Sequence, residues 1–415
     1  MHKELNKLKS LIKTSTGLPV VSAGGWLFGN NRGHDDNFYL YAENRTIAIE
    51  IYQLIDKIWR KDINISSSVS KNWFESELKY ILREKFEHNQ EFTHLDWKNF
   101  IQIFLNRDLI DHEIFKEIRG CKINGKLPLQ IAHFTFYSWP LHFKHIKDKY
   151  PKAFEKQYPS FYDERISMTL ISTIVKSRDG LRAHELADIE FKKIENTLRY
   201  IFTSSPTSTS IGKNHDIGIF DFRKGEWLES NDITENYKGG IHKPIGTYKD
   251  LSLNQTKLKR KKHILKIWDL LAKKQPTNIE TRILNAIQWI GKAKHELEKE
   301  KAFIQYFFAI ESLVNFNETG SISPSVGAQM REYTAFILEK KPLERQNIDK
   351  LFSKLYQIRS SIVHGNLKEI TDYEIEDLQK ITERLVLEFL SNPKFDSISS
   401  DGLKSLIYNM KYANT

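Results

Sequence analysis

The chain has 415 residues, a length that predicts two or three domains. Its hydrophobic fraction of 40% and charged fraction of 28% are typical of a folded globular protein and exclude a wholly disordered chain. The formal net charge of +10 favours a polyanionic partner, such as nucleic acid or an anionic membrane surface.

A single cysteine, Cys121, limits the chemistry that the chain can carry. It excludes an intramolecular disulfide and a zinc site built on several thiolates. The Lys-rich segment from Met1 to Thr14 lacks the apolar core of a signal peptide, and no apolar run is long enough to cross a bilayer. We therefore expect a cytoplasmic protein that contacts no membrane and uses neither a metal ion nor another cofactor.

The first part of the chain shows mostly helical periodicity. Apolar residues recur at helical spacing from Asn44 to Lys61, and similar patterns follow around Trp73 to Phe86 and Trp97 to Ile118. The sequence therefore predicts a helical N-terminal domain over residues 1–150, whose role the pattern does not reveal.

The middle of the chain, residues 151–256, is predicted to be a helical linker region with a β insert. Helices are expected from Asp163 to Val175 and from Ala183 to Phe202. Short β-type runs at Ile217–Phe222 and Glu226–Leu228 flank a Gly-containing turn, which predicts a small β-hairpin.

The C-terminal part, residues 257–415, is predicted to form a bundle of amphipathic helices. Apolar residues recur there at steps of three and four, and the connections are short. The predicted fold is therefore mostly α-helical. The helices expected in the bundle are Thr281–Lys292, Lys301–Phe316, Ala328–Leu338, Asp349–His364 and Glu374–Leu390.

One of these helices carries a recognisable motif. Its sequence, DKLFSKLYQIRSSIVH, places Arg359 and His364 near the end of the helix with four residues between them. Gly365 and Asn366 follow as a stop signal.

This arrangement resembles the R-x4-6-H signature of the HEPN superfamily of ribonucleases. The segments RILNAIQWIGKAK, from Arg282, FFAIESLV, around Glu311, and LYQIRSSIVHGN look, in that order, like the ApeA-like branch of the superfamily. The resemblance covers roughly Leu271 to Leu390, under a third of the chain. One departure is Ser360, which follows the arginine where the family often has Asn or another polar residue.

The two residue types suit cleavage of RNA by its own ribose 2′-hydroxyl. An imidazole titrates near neutral pH and can either take the 2′-hydroxyl proton or protonate the leaving 5′-oxygen. A guanidinium is permanently charged and matches phosphate oxygens. However, residues five apart lie roughly 140° from one another around a helix, so one helix alone makes a poor site.

The resemblance implies a solution to this problem, because HEPN enzymes dimerise so that two motifs face each other. It implies a homodimeric, metal-independent endoribonuclease that acts in bacterial anti-phage defence, with Arg359 and His364 as catalytic residues. Ser360, Glu311 and Asn366 would support them. The N-terminal region would sense a phage-derived activator or hold the nuclease inactive.

Three other interpretations stay open. His364 could merely satisfy the last carbonyls of its helix while Arg359 forms a surface ion pair. A non-catalytic HEPN bundle could dimerise and bind nucleic acid or a nucleotide. In a third interpretation, the pair is catalytic but the chain is a toxin neutralised by a separate antitoxin.

A basic run, KLKRKKH, precedes the predicted bundle. It could bind the RNA backbone electrostatically, or it could simply be the solvated start of a helix. The residues predicted to contact RNA are Lys257, Lys259, Arg260, Lys261 and Lys262.

Overall fold

The computed structural model describes residues 2–15, 27–28, 39–151, 168–202, 217–220, 251–254, 258, 261–314, 326–365, 369–396 and 398–412. Across these ranges the chain forms fourteen α-helices and ten β-strands. Helix predominates, which confirms the predicted mostly α-helical class, and the described strands form three small sheets.

The elements are numbered in chain order. The described helices are α1 (His2–Leu11), α2 (Arg45–Lys61), α3 (Ile63–Ser68), α4 (Lys71–Glu87), α5 (His94–Leu105), α6 (Trp139–Lys149), α7 (Gly180–Phe202), α8 (Lys262–Ala272), α9 (Asn278–Ala293), α10 (Lys299–Val314), α11 (Val326–Leu338), α12 (Pro342–Val363), α13 (Asp372–Ser391) and α14 (Ser400–Tyr412). The described strands are β1 (Lys13–Ser15), β2 (Leu27–Phe28), β3 (Tyr39–Tyr41), β4 (Ile110–Arg119), β5 (Cys121–Ile123), β6 (Leu129–Ile131), β7 (Phe134–Ser138), β8 (Thr169–Ser177), β9 (Gly218–Phe220) and β10 (Leu251–Leu253).

The described residues pack into two compact units that are not consecutive in sequence. The first contains residues of Met1–Ile114 and Ile174–Asp188, and the second contains residues of Phe115–Thr173, Ile189–Leu228 and Glu235–Thr415. Strands β4 and β8 and helix α7 therefore contribute residues to both units. The predicted division at residues 150 and 256 is not tested by this packing and stays a prediction.

The first unit has a helical core with an aromatic centre. Phe74, Phe100 and Phe104 are fully buried, and the rings of Phe74 and Phe104 stack at 5.6 Å between centroids. The Asp179 carboxylate, just before α7, accepts the backbone N–H of Ser70 at 2.8 Å and so ties a later segment to this core. Helices α2 and α4 confirm the helices predicted at Asn44–Lys61 and Trp73–Phe86.

Two segments predicted to be helical are strands. The helix expected from Trp97 to Ile118 ends at Leu105, and β4 follows from Ile110. The described part of Asp163–Val175 lies in strand β8. These predictions were wrong because apolar residues in β4 happen to fall four residues apart, whereas pairing in the sheet determines the backbone. In β8, five successive buried residues rich in β-branched side chains indicate a strand covered on both faces.

These strands belong to a five-stranded sheet with the order β6-β7-β8-β4-β9. Strand β7 is antiparallel to β8, with Phe136 opposite Ile171, and β9 is antiparallel to β4, with Phe220 opposite Glu117. Strand β9 is the first arm of the predicted hairpin. The rest of that hairpin, including Glu226–Leu228, lies outside the described residues.

The C-terminal helices α8–α14 pack around a continuous apolar core in the second unit. The predicted stripe of α10 is fully buried, as is that of α13. Helix α12 starts at Pro342, well before the predicted start at Asp349. Proline suits the first turn of a helix because it needs no N–H partner there. Its buried residues include Phe352, Leu355 and Ile358.

Helix α9 also packs closely against α7. Gly291 faces the α7 backbone, where an added Cβ would lie 2.1 Å from the carbonyl oxygen of Asn196. The side-chain amide of Gln288 donates to the carbonyl oxygen of Lys193 at 3.0 Å, and the Lys294 ammonium donates to the carbonyl oxygen of Tyr200 at 2.8 Å. The C-terminal helices are thus joined to the second half of α7.

We predict that Gly291→Ala lowers the free energy of unfolding by about 1–3 kcal/mol, since a backbone oxygen cannot move aside cheaply. Helix propensity alone would favour alanine by about 1 kcal/mol. Urea denaturation followed by circular dichroism measures the effect, with exposed Lys292→Ala on the same helix as the control. A Gly291→Ala protein more stable than the parent would contradict the close packing.

Candidate functional site

The predicted motif lies at the C-terminal end of α12. His364 is the C-cap residue, with φ −87° and ψ 9°, and its backbone N–H donates to the carbonyl oxygens of Ser360 and Ile362. Gly365 follows in the left-handed region with φ +75°, a conformation that glycine adopts without steric cost. The helix therefore ends at Val363, and the exposed His364 side chain stands at its terminus.

Arg359 lies one and a half turns earlier and is half-buried. Its guanidinium carbon is 5.6 Å from the centroid of the Tyr356 ring. The Tyr356 ring in turn contacts Phe307 of α10, with the ring centroids 5.9 Å apart at 78°. On α11, Gly327 leaves room for the same ring, because a Cβ there would lie 2.4 Å from it. Three helices therefore fix the position of the ring that supports Arg359.

Neither catalytic candidate is engaged by another charged group in the described part of the chain. No described carboxylate pairs with Arg359, although other surface cations of the same helices are paired, for example Arg331 with Asp349 at 2.9 Å. The His364 imidazole has no described hydrogen-bond partner, and the capping bonds come from its backbone N–H instead. These observations argue against the ion-pair and capping interpretations of the motif.

The three residues predicted to support the catalytic pair lie in different places. Ser360 is half-buried, and its carbonyl oxygen accepts the N–H of His364 at 3.1 Å. Glu311, on α10, is half-buried and lines a groove between α9 and α10. Asn366 lies outside the described residues.

The predicted basic run is described only in part. Lys261 and Lys262 are exposed at the start of α8, where Lys261 is the N-cap residue and its side chain makes no capping hydrogen bond. Cations at a helix N-terminus face the positive end of the helix dipole, so these charges do not stabilise the helix that they begin. Lys257, Lys259 and Arg260 lie outside the described residues.

The groove that contains Glu311 was not predicted. It has a volume of about 620 Å³ and is open to solvent, and α9 and α10 supply both charged and aromatic side chains. Its lining residues are Asn278, Thr281, Arg282, Asn285, Trp289, Phe308, Glu311 and Ser312. Sequence periodicity does not reveal such a groove, because its residues are the polar and half-exposed positions between two buried stripes.

The described residues also bear on metal binding and membrane insertion. No group of three or more His, Cys, Asp or Glu side chains within them is arranged to hold a metal ion. None of the described helices combines the length and apolar character required to cross a membrane.

Comparison with models of protein families, with curated proteins and with solved structures found no match to this chain. The HEPN resemblance therefore stays a prediction, which depends on the motif and on the order of the flanking segments.

We predict that the cost of replacing Gly365 follows backbone conformation alone, because no described atom lies within 4 Å of an added Cβ. Gly365→Ala should lower the free energy of unfolding by about 1 kcal/mol, since alanine is strained at positive φ. Gly365→Asn should cost clearly less, because asparagine enters this region more readily. Urea denaturation measures the stability of both variants. If Gly365→Asn proved more destabilising than Gly365→Ala, that result would contradict the observed helix end.

Proposed function

We propose that the chain is a metal-independent endoribonuclease of the HEPN type, with Arg359 and His364 as its catalytic residues. The observation that carries this proposal is the end of α12, where the Tyr356 ring supports a guanidinium and an exposed imidazole follows it at the helix terminus. Neither group has a described charged partner. A phosphate would supply the anion that the guanidinium lacks.

The proposed reaction is an internal transesterification. A histidine takes the proton of the ribose 2′-hydroxyl, the 2′-oxygen forms a bond to phosphorus, and the bond from phosphorus to the 5′-oxygen breaks. The leaving 5′-oxygen receives a proton from a second imidazole. Arginine stabilises the negative charge on the non-bridging oxygens, and the products are a 2′,3′-cyclic phosphate and a 5′-hydroxyl.

This reaction needs an acid and a base at once, but each chain offers one His364. The two side chains of one motif also point roughly 140° apart around the helix. We therefore propose a homodimer in which the α12 ends of two copies meet, so that one composite site contains two imidazoles and two guanidiniums.

The proposed biological setting is bacterial anti-phage defence, with the N-terminal region as sensor or regulator. This part of the proposal rests only on the HEPN resemblance. If a separate antitoxin exists instead, it should co-purify with the chain when neighbouring genes are expressed together.

We predict that Arg359→Ala and His364→Ala each reduce RNA cleavage at least about 100-fold, since each removes one of the groups that act on the phosphate. Transcript ends are mapped in a host that expresses each protein, and growth arrest is measured in parallel. The matched controls are Arg331→Ala and His295→Ala, which remove the same residue types elsewhere in the bundle and should leave cleavage unchanged.

A non-catalytic binding module predicts a different outcome. Growth arrest and transcript ends that stay unchanged in both motif variants would remove the enzymatic proposal. Circular dichroism of the purified variants shows whether each one folds, so that a loss of activity is not mistaken for unfolding.

The composite site makes a separate prediction. A mixed dimer of a wild-type chain and a His364→Ala chain retains only one imidazole in its site and should not cleave RNA. Cleavage of a labelled RNA by a co-expressed mixture should therefore fall with the square of the wild-type fraction. Activity that falls only in proportion to the wild-type fraction would indicate that the two copies do not share a site.

A further inference from the structure

The groove between α9 and α10 has a charged end and an aromatic end. The two helices are antiparallel there, because Arg282 contacts Ser312 at one end and Trp289 contacts Phe308 at the other. Arg282 and Trp289 are seven residues apart, which corresponds to about 10 Å along α9. A ligand in the groove would therefore meet a cation and an aromatic surface in succession.

At the charged end, Arg282 is held in place by two hydrogen bonds. Its Nε donates to the side-chain oxygen of Asn278 at 2.9 Å, and its Nη1 donates to the carbonyl oxygen of Ser312 at 3.2 Å. These two bonds orient the guanidinium at this end of the groove. A fixed, planar guanidinium is well suited to bind a phosphate group.

At the aromatic end, Trp289 and Phe308 form a tilted pair with ring centroids 4.9 Å apart. The exposed Lys292 side chain places its ammonium 4.2 Å from the centroid of the Trp289 ring. Half-exposed aromatic rings beside flexible cations are the usual means by which proteins bind single-stranded nucleic acid, because rings stack on bases and cations follow the phosphates.

The groove also approaches the motif through α10. Glu311 lies one turn beyond Phe307 on this helix, and Phe307 contacts the Tyr356 ring that supports Arg359. Glu311 in the groove lining is thus connected to Tyr356, which contacts Arg359, through one turn of α10 and one aromatic contact.

We propose that this groove binds a short stretch of the single-stranded RNA substrate, an inference that rests on the proposed ribonuclease function. One base stacks on Trp289, and a neighbouring phosphate lies against Arg282. The Lys292 ammonium moves from the ring to a phosphate when the base enters.

The test uses the full chain with His364→Ala, so that bound RNA is not cleaved. Fluorescence anisotropy of a labelled single-stranded RNA gives the affinity of this parent and of the same protein with Trp289→Ala. Stacking is worth enough that the alanine change should weaken binding at least about fivefold. Trp289→Phe, which keeps an aromatic surface, should restore most of the affinity.

Tyr408→Ala is the matched control, because Tyr408 is a 63% exposed aromatic residue on another helix of the same unit. It should bind RNA like the parent. Equal affinities of the parent and the Trp289→Ala protein, or no RNA binding by the parent at all, would overturn the inference. Melting curves of each variant establish that the protein is folded.

Salt dependence tests the electrostatic part of the same proposal. Removing one phosphate contact from a single-stranded complex lowers the slope of log affinity against log salt by about 0.7. Lys292→Ala should show this reduction, whereas Lys380→Ala, an exposed residue of α13 that does not line the groove, should not. Equal slopes for the two variants would remove Lys292 from the RNA contact and overturn its proposed movement.

A free mononucleotide carries the same base and phosphate as one unit of RNA. A competition experiment therefore distinguishes an RNA strand from a mononucleotide as the ligand of the groove. Guanosine or adenosine monophosphate should displace the labelled RNA only at large excess, since a single unit lacks the contacts of the strand. Tight, Trp289-dependent binding of a mononucleotide would overturn the assignment to substrate RNA. If the wild-type chain cleaves RNA but Trp289→Ala binds RNA as the parent does, only the groove proposal is rejected. If binding depends on Trp289 but the wild-type chain cleaves no RNA, only the ribonuclease proposal is rejected.

Discussion

The packing of the Tyr356 ring is the interaction on which the candidate site depends. The ring lies against Phe307 of α10 and fills the space that Gly327 leaves on α11, and the Arg359 guanidinium rests over its face. A cation over a partly exposed ring gains only about 0.5–1 kcal/mol. The contact with Tyr356 therefore sets the orientation of the Arg359 side chain and adds little to stability. Because the ring is uncharged, this contact does not pair the guanidinium with a counter-ion.

A different structural feature positions His364. Gly365 adopts a left-handed backbone conformation that ends α12, and His364 therefore stands at the terminus with its side chain exposed. Buried tertiary packing thus positions the arginine, whereas local backbone geometry positions the histidine. Helical spacing puts the two residues roughly 140° apart around α12, which is why the proposed chemistry needs a second copy.

Local patterns in the sequence predicted α12 from Asp349 onward and its end, because apolar periodicity and a glycine stop signal are encoded within a few residues. The same reasoning failed at β4 and β8, where pairing with distant strands overrides an apparent helical spacing. The role of Tyr356 could not be predicted either, since it depends on where Phe307 and Gly327 lie in space. The groove was missed for a related reason: its lining is shared by two helices, and Trp289 carries no periodic signal of its own.

The central claim is that this chain cleaves RNA through the ribose 2′-hydroxyl, and the most direct measurement uses a synthetic RNA. The purified chain is first given an all-ribose RNA to locate its cleavage site, and then the same RNA with a single 2′-deoxy substitution at that position. The account predicts a 2′,3′-cyclic phosphate end on the first RNA and no cleavage at the substituted position of the second. Equal cleavage of both RNAs would contradict it, because a nuclease that ignores the 2′-hydroxyl does not act by internal transesterification.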